Sequence, residues 1–226
     1  MIEQHKTLPE SYHLDAWRVF RILSEFVEGF EKMTAIGPSV VFFGSSRIKS
    51  DDPYYKMTLS LAGKISQKGF AIVTGGGPGI MEAANEGARA NQGISCGLCI
   101  DLPSEEEPNP FIDKKYLFRF RYFFVRKVLF VRYAKAFVVM PGGFGTLNEL
   151  FEALTLITTK KANYFPIYLI GKAYWTGLLE WLTNTTAGQH NISLDELNLL
   201  TVTDDLDEVA DGIEKYYQKV SSLENF

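Results

Sequence analysis

The sequence predicts an α/β protein with a Rossmann-like, doubly wound parallel sheet, helices on both faces and an extra N-terminal helix. Short apolar or β-branched runs alternate with helical patterns along the 226 residues, which is typical of parallel sheets. Glycine-containing loops follow three of these runs, where such folds bind ligands. Hydrophobic residues make up 46% and charged residues 22% of the chain, as in ordinary globular domains.

Five runs are predicted to be buried strands, because each is rich in β-branched or aromatic residues and ends at a glycine or a polar turn. These strands are 39–44, 70–77, 94–100, 136–143 and 165–171. Helices are predicted over 15–33, 53–68, 79–91, 116–134, 145–160, 174–183 and 204–219. Asp204 or Asp205 would cap the last helix, and the acidic, proline-rich stretch 103–113 is predicted to be a loop.

No linker-like segment divides the chain, so we expect one domain over residues 1–226 with an N-terminal helical extension of about 1–36. The helix of this extension has a broad apolar stripe. The stripe consists of Trp17, Phe20, Phe26, Val27, Phe30 and Met33. Two interpretations fit it: the helix docks on the sheet, or it forms a subunit interface.

Composition argues against several classes of function. The net charge of −4 does not favour a nucleic-acid or anionic-membrane partner, and no uncharged apolar run approaches the ~18–20 residues that span a bilayer. The N-terminus lacks the basic and then apolar pattern of a signal peptide, so we expect a soluble, cytoplasmic protein.

Cys96 and Cys99 lie three apart in a predicted strand, on opposite faces, and are predicted to be inert. The three histidines are dispersed, so we expect neither a metal nor another cofactor.

The strongest local signal is PGGFGTLNE, residues 141–149, between a predicted strand and a predicted helix. Gly142, Gly143 and Gly145 let the backbone approach a ligand closely. With Thr146 they precede a helix N-terminus, whose unpaired N–H groups suit a phosphate or another compact anion. No lysine follows the last glycine, so this is not a Walker loop.

The role of Glu149 has two interpretations. Thr146 and Glu149 have the spacing of a capping box, in which the glutamate folds back onto the start of the helix. Alternatively, the carboxylate turns toward the ligand. There it would serve a cationic transition state or a water molecule.

A second glycine loop lies within residues 74–88. It contains Gly75, Gly76, Gly77 and Gly79. Because their spacing does not fit the dinucleotide fingerprint, NAD is not favoured, but a loop that admits the phosphate, ribose or base of a nucleotide is predicted. Glu82 and Asn85, on the first turns of the following helix, are either solvated caps or ribose ligands.

The first predicted strand ends in the loop GSSR, residues 44–47. Gly44 and Ser45 stand at its start. Small hydroxyl residues at this place either bond a ligand hydroxyl or close the turn, and the sequence favours neither.

Charge is distributed unevenly along the chain. Residues 114–148 contain eight basic side chains and no acidic one, which leaves the rest of the chain strongly acidic. Arg126 and Lys127 are flanked on both sides by large apolar residues and are predicted to point into a site, although a solvated basic face is the alternative. Since this segment precedes the strand of the PGGFGT loop, it is expected to border the same pocket, which would take a single phosphate.

Four motifs, GSSR, TGGGPGIMEAA, FFVRKVLF and PGGFGTLNE, resemble in this order the LOG (Lonely Guy) family, formerly called possible lysine decarboxylases. The resemblance covers roughly residues 38–215, and the N-terminal helix is similar to that of the long-chain bacterial branch. It implies a phosphoribohydrolase that cleaves the N-glycosidic bond of a nucleoside 5′-monophosphate, of the AMP or cytokinin riboside class, to free base and ribose 5-phosphate. It also implies a homodimer or larger homo-oligomer.

The resemblance also implies roles for particular residues. Arg126 and Glu149 would be the catalytic pair. Gly142, Gly143, Gly145 and Thr146 would be the phosphate loop. The positions of the other loops in the sequence, rather than the resemblance, add further candidate substrate contacts: Lys127, Gly44, Ser45, Gly75, Gly76, Gly77, Gly79 and Glu82. Plant-type members have His-Glu before Arg-Lys where this chain has Phe124-Val125, so the base side is expected to differ. The runner-up function is a non-catalytic nucleotide-binding or sensing module.

Overall fold

The structure, a computed structural model, describes residues 10–101, 107–219 and 224–226. These residues form a seven-stranded parallel sheet in the order β4-β3-β2-β1-β5-β6-β7. The strands are Ser39–Phe43 (β1), Ala71–Thr74 (β2), Ser95–Ile100 (β3), Leu117–Phe120 (β4), Ala134–Val139 (β5), Ile167–Leu169 (β6) and Leu200–Val202 (β7). The helices are Glu10–Thr34 (α1), Pro53–Gln67 (α2), Ile80–Ala90 (α3), Phe123–Tyr133 (α4), Phe144–Thr158 (α5), Lys172–Trp181 (α6), Leu194–Leu197 (α7) and Leu206–Tyr217 (α8).

Each face of the sheet packs against its own set of helices. In β1, Val40 and Phe42 enter one core while Val41 and Phe43 enter the other, because successive side chains of a strand point to opposite faces. Helices α2, α3 and α8 cover the first face, and α1, α4, α5 and α6 cover the second. The predicted α/β fold with helices on both faces is confirmed.

The sequence prediction was wrong for residues 116–134, which are not one helix. Leu117–Phe120 form β4, which pairs with β3, and the chain becomes helical only at Phe123. Only Arg121 and Tyr122 separate the two elements, and no glycine or proline marks the break. Consequently Arg119 lies on an exposed strand position and does not share a helix face with Arg126. The short edge strand β7 was also missed.

The N-terminal helix α1 docks on α4. Gly29 contacts the side chain of Leu129, and the rings of Phe26 and Phe124 lie 6.4 Å apart. Met33 is buried in the core. The predicted apolar stripe therefore divides into a packed face and an outer face. The outer face consists of Trp17, Phe20, Leu23 and Val27.

The order of the strands reverses between β1 and β5. The chain runs outward from β1 to β4 and then returns to place β5 on the other side of β1. Such a switch point opens a crevice at the carboxyl ends of the two strands. Backbone bonds tie its walls together: Met140 N–H donates to the Phe43 carbonyl at 2.8 Å, and Ser45 N–H donates to that of Pro141 at 3.0 Å.

Candidate functional site

Three loops meet at this switch point, after β1, β2 and β5. The Ser45 carbonyl accepts a hydrogen bond of 3.0 Å from Ile80 N–H, at the start of α3. Gly79, just before Ile80, has a φ of +69°, and a Cβ there would overlap the same carbonyl oxygen. The loops that begin at Gly44, Gly75 and Gly142 are therefore adjacent, as the common edge of the strands predicts.

The PGGFGT loop forms the N-terminus of α5. Gly143 is the N-cap residue, and no side chain caps the helix there, so N–H groups of the first turn are open to a ligand. Gly142 is in close contact with its surroundings, since a Cβ on it would overlap the Thr146 hydroxyl and lie 3.0 Å from the Gly44 backbone. A Cβ on Gly143 or Gly145 would meet open space. This geometry suits a compact anion.

Glu149 does not form the capping box. Helix α5 begins at Phe144, so Thr146 lies inside its first turn rather than at the N-cap. The Glu149 side chain is 6% exposed, and its Oε2 atom has no hydrogen-bond partner. Burial raises the pKa of Glu149 to about 7, although the charges of Arg126 and Lys127 act in the opposite direction.

Arg126 lies on α4 between the second glycine loop and Glu149. A Cβ on Gly75 would lie 3.5 Å from its Nη1 atom, and Nη1 donates to the Leu98 carbonyl at 3.4 Å. Its Nε atom is buried without a partner. Burial lowers the pKa of Arg126, and the Glu149 carboxylate counteracts this effect. Arg126 and Glu149 are thus buried close enough to interact electrostatically, and each has a polar atom without a hydrogen-bond partner.

Aromatic rings hold the guanidinium of Arg126. Its Cζ atom lies 5.1 Å from the ring centroid of Phe123 and 5.6 Å from that of Phe130. Cation–π contacts of this kind stabilise a charge that has lost water. The apolar residues around Arg126 therefore hold its guanidinium beside the second glycine loop.

Lys127 and Glu82 lie near the site, but each interacts there with another side chain. The Lys127 ammonium pairs with Glu152 at 2.6 Å. Glu82, half-buried on α3, acts electrostatically on Tyr55, and within the described residues no hydrogen bond or ion pair joins it to Arg126. That Lys127 and Glu82 contact a ligand remains a prediction.

A buried polar network holds the second glycine loop. The Thr74 hydroxyl donates to Asn85 Oδ1 at 2.7 Å and accepts from Gly76 N–H at 2.9 Å. Asn109 N–H donates to the Gly76 carbonyl at 2.9 Å, and its Nδ2 donates to the Gly77 carbonyl at 3.0 Å. Asn85 is thus neither a solvated cap nor directed at a ribose, contrary to both interpretations from sequence.

Two further residues support the site from distant parts of the chain. The Tyr174 hydroxyl donates to the Gly142 carbonyl at 2.6 Å. Glu25 of α1 accepts from the backbone N–H groups of Arg121 at 3.1 Å and Tyr122 at 3.4 Å, and so holds the turn between β4 and α4. The sequence gives no signal for either contact, because tertiary packing alone brings these partners together.

The described residues also bear on the remaining expectations. Cys96 and Cys99 are buried free thiols, as predicted, and burial raises the pKa of Cys99 to about 11. Across 10–101, 107–219 and 224–226, no group of three His, Cys, Asp or Glu side chains is placed to hold a metal ion. In the same residues no helix is both long and apolar enough to cross a membrane. Asp205 caps α8, while Asp204 bonds to the N–H of Gly171.

The fold and the site define a Rossmann-like α/β protein with a glycine loop at a helix N-terminus, beside a buried arginine and glutamate. The profile of a family described as "Possible lysine decarboxylase" matches residues 81–213, which is more than half of the chain. The chain therefore belongs to this family, the LOG family, as the motifs indicated.

Two curated relatives share sequence with the chain. A cytokinin riboside 5′-monophosphate phosphoribohydrolase of Mycobacterium marinum is 29% identical over 161 residues, which cover 69% of this chain and 85% of the relative. An uncharacterized protein of Archaeoglobus fulgidus is 29% identical over 105 residues, which cover 46% of this chain. The latter match spans 66% of the archaeal protein, just under two thirds of its length.

Solved structures share the fold. The structural-genomics target TM1055 has a TM-score of 0.60 at 23% identity, covering 79% of this chain and 99% of its own. The molybdenum cofactor binding protein of Rippkaea orientalis has a TM-score of 0.57 at 21% identity, covering 80% and 98%. At these identities the likeness concerns the fold alone.

Proposed function

We propose that the protein is a nucleoside 5′-monophosphate phosphoribohydrolase, which hydrolyses substrates of the AMP or cytokinin riboside monophosphate class to free base and ribose 5-phosphate. The observation that carries this proposal is the buried carboxyl of Glu149, which has an unpartnered oxygen and lies beside Arg126 and the glycine loop. The name of the Mycobacterium marinum relative supports it.

The 5′-phosphate would bind at the N-terminus of α5. Its oxygens would accept hydrogen bonds from the open N–H groups that follow Gly143, and the positive end of the helix dipole would stabilise their charge. The Thr146 hydroxyl, close to Gly142, is a further donor in this loop. A phosphate fixed there would restrain the attached ribose, which favours attack at its C1′ atom.

Hydrolysis breaks the bond between C1′ and the base nitrogen and forms a bond between C1′ and a water oxygen. The ribose passes through an oxocarbenium-like state, which is positive at C1′ and the ring oxygen. Glu149 as a carboxylate would stabilise that charge and orient the water. Because its pKa is about 7, this group can also take a proton from the water near neutral pH.

Arg126 would keep Glu149 ready for this role. Its charge favours the carboxylate form against the effect of burial. The buried Nε atom has no hydrogen-bond partner, so a substrate oxygen or a water molecule would have to supply one. Phe124 stands where plant-type members have a histidine, but its ring lies against Phe26 of α1, on the side of α4 away from Arg126.

The experiment is to incubate the purified full-length protein with AMP and to measure adenine and ribose 5-phosphate in equal amounts. Adenosine, which lacks the phosphate, is the substrate control and should be cleaved far more slowly. Glu149→Gln and Arg126→Ala should each reduce kcat/KM by about 100-fold or more. Glu180→Gln, which neutralises an exposed carboxylate on α6, is the matched control and should retain activity.

The alternative is a non-catalytic nucleotide-binding or sensing module. The molybdenum cofactor binding protein of Rippkaea orientalis shares the fold, which makes binding without turnover the second candidate. The same assay separates the two functions. A rise in melting temperature with AMP and no release of adenine would support the binding module. Full activity of Glu149→Gln toward a cleaved monophosphate would instead contradict the catalytic role of Glu149.

A further inference from the structure

Three successive carbonyl groups of the PGGFGT loop accept hydrogen bonds from the protein itself. Those of Pro141 and Gly143 each accept at 3.0 Å from a backbone N–H, one in the loop after β1 and one in the first turn of α5. Between them, the Gly142 carbonyl accepts at 2.6 Å from the Tyr174 hydroxyl. No substitution of a side chain removes the two backbone donors, whereas the bond to Gly142 depends on the residue at position 174.

The peptide group between Gly142 and Gly143 is flanked by two residues that permit it to rotate. A half-turn of this peptide would bring the φ of Gly143 from −91° to about +90°, a region that glycine adopts without steric cost. The peptide is planar and trans, so its C=O and N–H groups point in opposite directions. The bond that holds the Gly142 carbonyl therefore also fixes the direction of the Gly143 N–H.

Helix α6 holds Tyr174 firmly in position. Asp204 Oδ1 accepts from the N–H groups of Gly171 at 2.7 Å and Lys172 at 3.1 Å, where α6 begins. The buried Trp175 donates from its indole Nε1 to the carbonyl just after β6 at 3.0 Å. None of these contacts uses the Tyr174 hydroxyl. A phenylalanine at this position would therefore keep the anchors of the helix and lose the bond to the loop.

We propose that Tyr174 is a positioning residue for the 5′-phosphate, whose hydroxyl holds the Gly142–Gly143 peptide in the orientation that presents its N–H to the anion. Tyr174 thereby determines how strongly the site prefers phosphorylated nucleosides to nucleosides. The inference rests on the proposed function, because it assigns a residue to the same phosphate site. Tyr174 acts through the loop and not on the reacting bond.

The two orientations of this peptide have opposite effects on an anion. With the carbonyl bound to Tyr174, the Gly143 N–H joins the open N–H groups at the start of α5, and their partial positive charges act together. After a half-turn, the carbonyl oxygen of Gly142 would take the place of that N–H and bring a partial negative charge to the phosphate. The site would lose a charge-assisted hydrogen bond. Molecules without a phosphate would not be affected.

Tyr174→Phe tests the proposal through the separate effects on KM and kcat. For AMP, KM should rise by about tenfold, because the peptide is no longer held in the binding orientation. The kcat should stay within about twofold of the wild type, since AMP that has bound is held as before. Adenosine lacks the phosphate, so its kcat/KM should not change. The preference for AMP over adenosine should therefore fall by about tenfold.

Calorimetric titration with ribose 5-phosphate measures the same site without turnover. Its Kd should rise by about tenfold in Tyr174→Phe. Tyr217→Phe is the matched control, because it removes a phenol hydroxyl from α8, where the ring packs on Phe70 on the other face of the sheet from α6. This variant should keep the wild-type KM and Kd. Thermal melts verify that each variant is folded.

Two results would overturn the proposal. One is a Tyr174→Phe variant with the wild-type KM for AMP and the wild-type Kd for ribose 5-phosphate. The other is a variant whose kcat/KM falls as much with adenosine as with AMP, which would indicate a general structural role. A wild type that binds ribose 5-phosphate more tightly than Tyr174→Phe does, yet releases no adenine from AMP, would contradict the proposed function alone.

Discussion

Replacing Glu149 with glutamine is expected to make the protein more stable at alkaline pH. Burial raises the pKa of this carboxyl from an ordinary 4.5 to about 7. The folded state therefore holds the proton more tightly than the unfolded chain. Because of this difference, the wild type loses stability as the pH rises from about 4.5 to about 7, and the loss is complete above that range.

The magnitude follows from the two pKa values. At about 1.4 kcal/mol for each pH unit, the interval from 4.5 to about 7 corresponds to about 3 kcal/mol of unfolding free energy. Most of this loss, about 2 kcal/mol, falls between pH 5 and pH 8. Glutamine is neutral throughout and avoids it, so the variant should gain about that much on the wild type over the same interval.

Urea unfolding at pH 5 and pH 8 measures this difference. Glu31→Gln, which neutralises an exposed carboxyl on α1, is the control for overall charge and should show little change relative to the wild type. If the difference between Glu149→Gln and the wild type is the same at both pH values, the carboxyl is not desolvated in the folded protein. The electrostatic account of the site would then be wrong.

Three other predictions concern the site. For the hydrolysis of AMP, kcat/KM should rise with pH through about 7, since the carboxylate of Glu149 is the required form; a flat profile would contradict that role. Gly142→Ala should raise KM for AMP by about tenfold or more, because its Cβ overlaps Thr146, whereas Gly143→Ala meets open space and should change KM little. Glu25→Ala removes the acceptor of the Arg121 and Tyr122 N–H groups in the turn before α4 and should lower the free energy of unfolding by about 1 kcal/mol in urea titrations; an unchanged midpoint would show that these hydrogen bonds are unimportant.

Much of the fold is predictable because local patterns and tertiary structure agree. The strands SVVFF and AFVV are continuous apolar runs, as a sheet covered on both faces requires. The pattern fails at the edges of the sheet. LFRF has the apolar–polar alternation of a strand, but it is only four residues long. Because no glycine or proline separates it from α4, it is easily read as the start of that helix. The three-residue β7 is too short to show a period.

The candidate site divides in the same way. The PGGFGT and TGGGPG loops are visible in the sequence because clustered glycines directly after a strand are typical of a backbone that turns sharply or approaches a ligand. The supporting contacts of Asn109, Tyr174 and Glu25 are not visible, since each joins segments distant along the chain. The contacts of Lys127 and Glu82 with a ligand, the single domain and the cytoplasmic location stay predictions.

The sequence by itself determined the α/β class, the glycine loops and the family, because these depend on residue types at fixed spacings along the chain. The tertiary structure decided the role open to Glu149. The Thr146–Glu149 spacing permits a capping box, but Gly143 takes the N-cap position and α5 begins at Phe144. The carboxyl is therefore carried into the interior beside Arg126, where loss of water, which no sequence pattern records, raises its pKa to about 7.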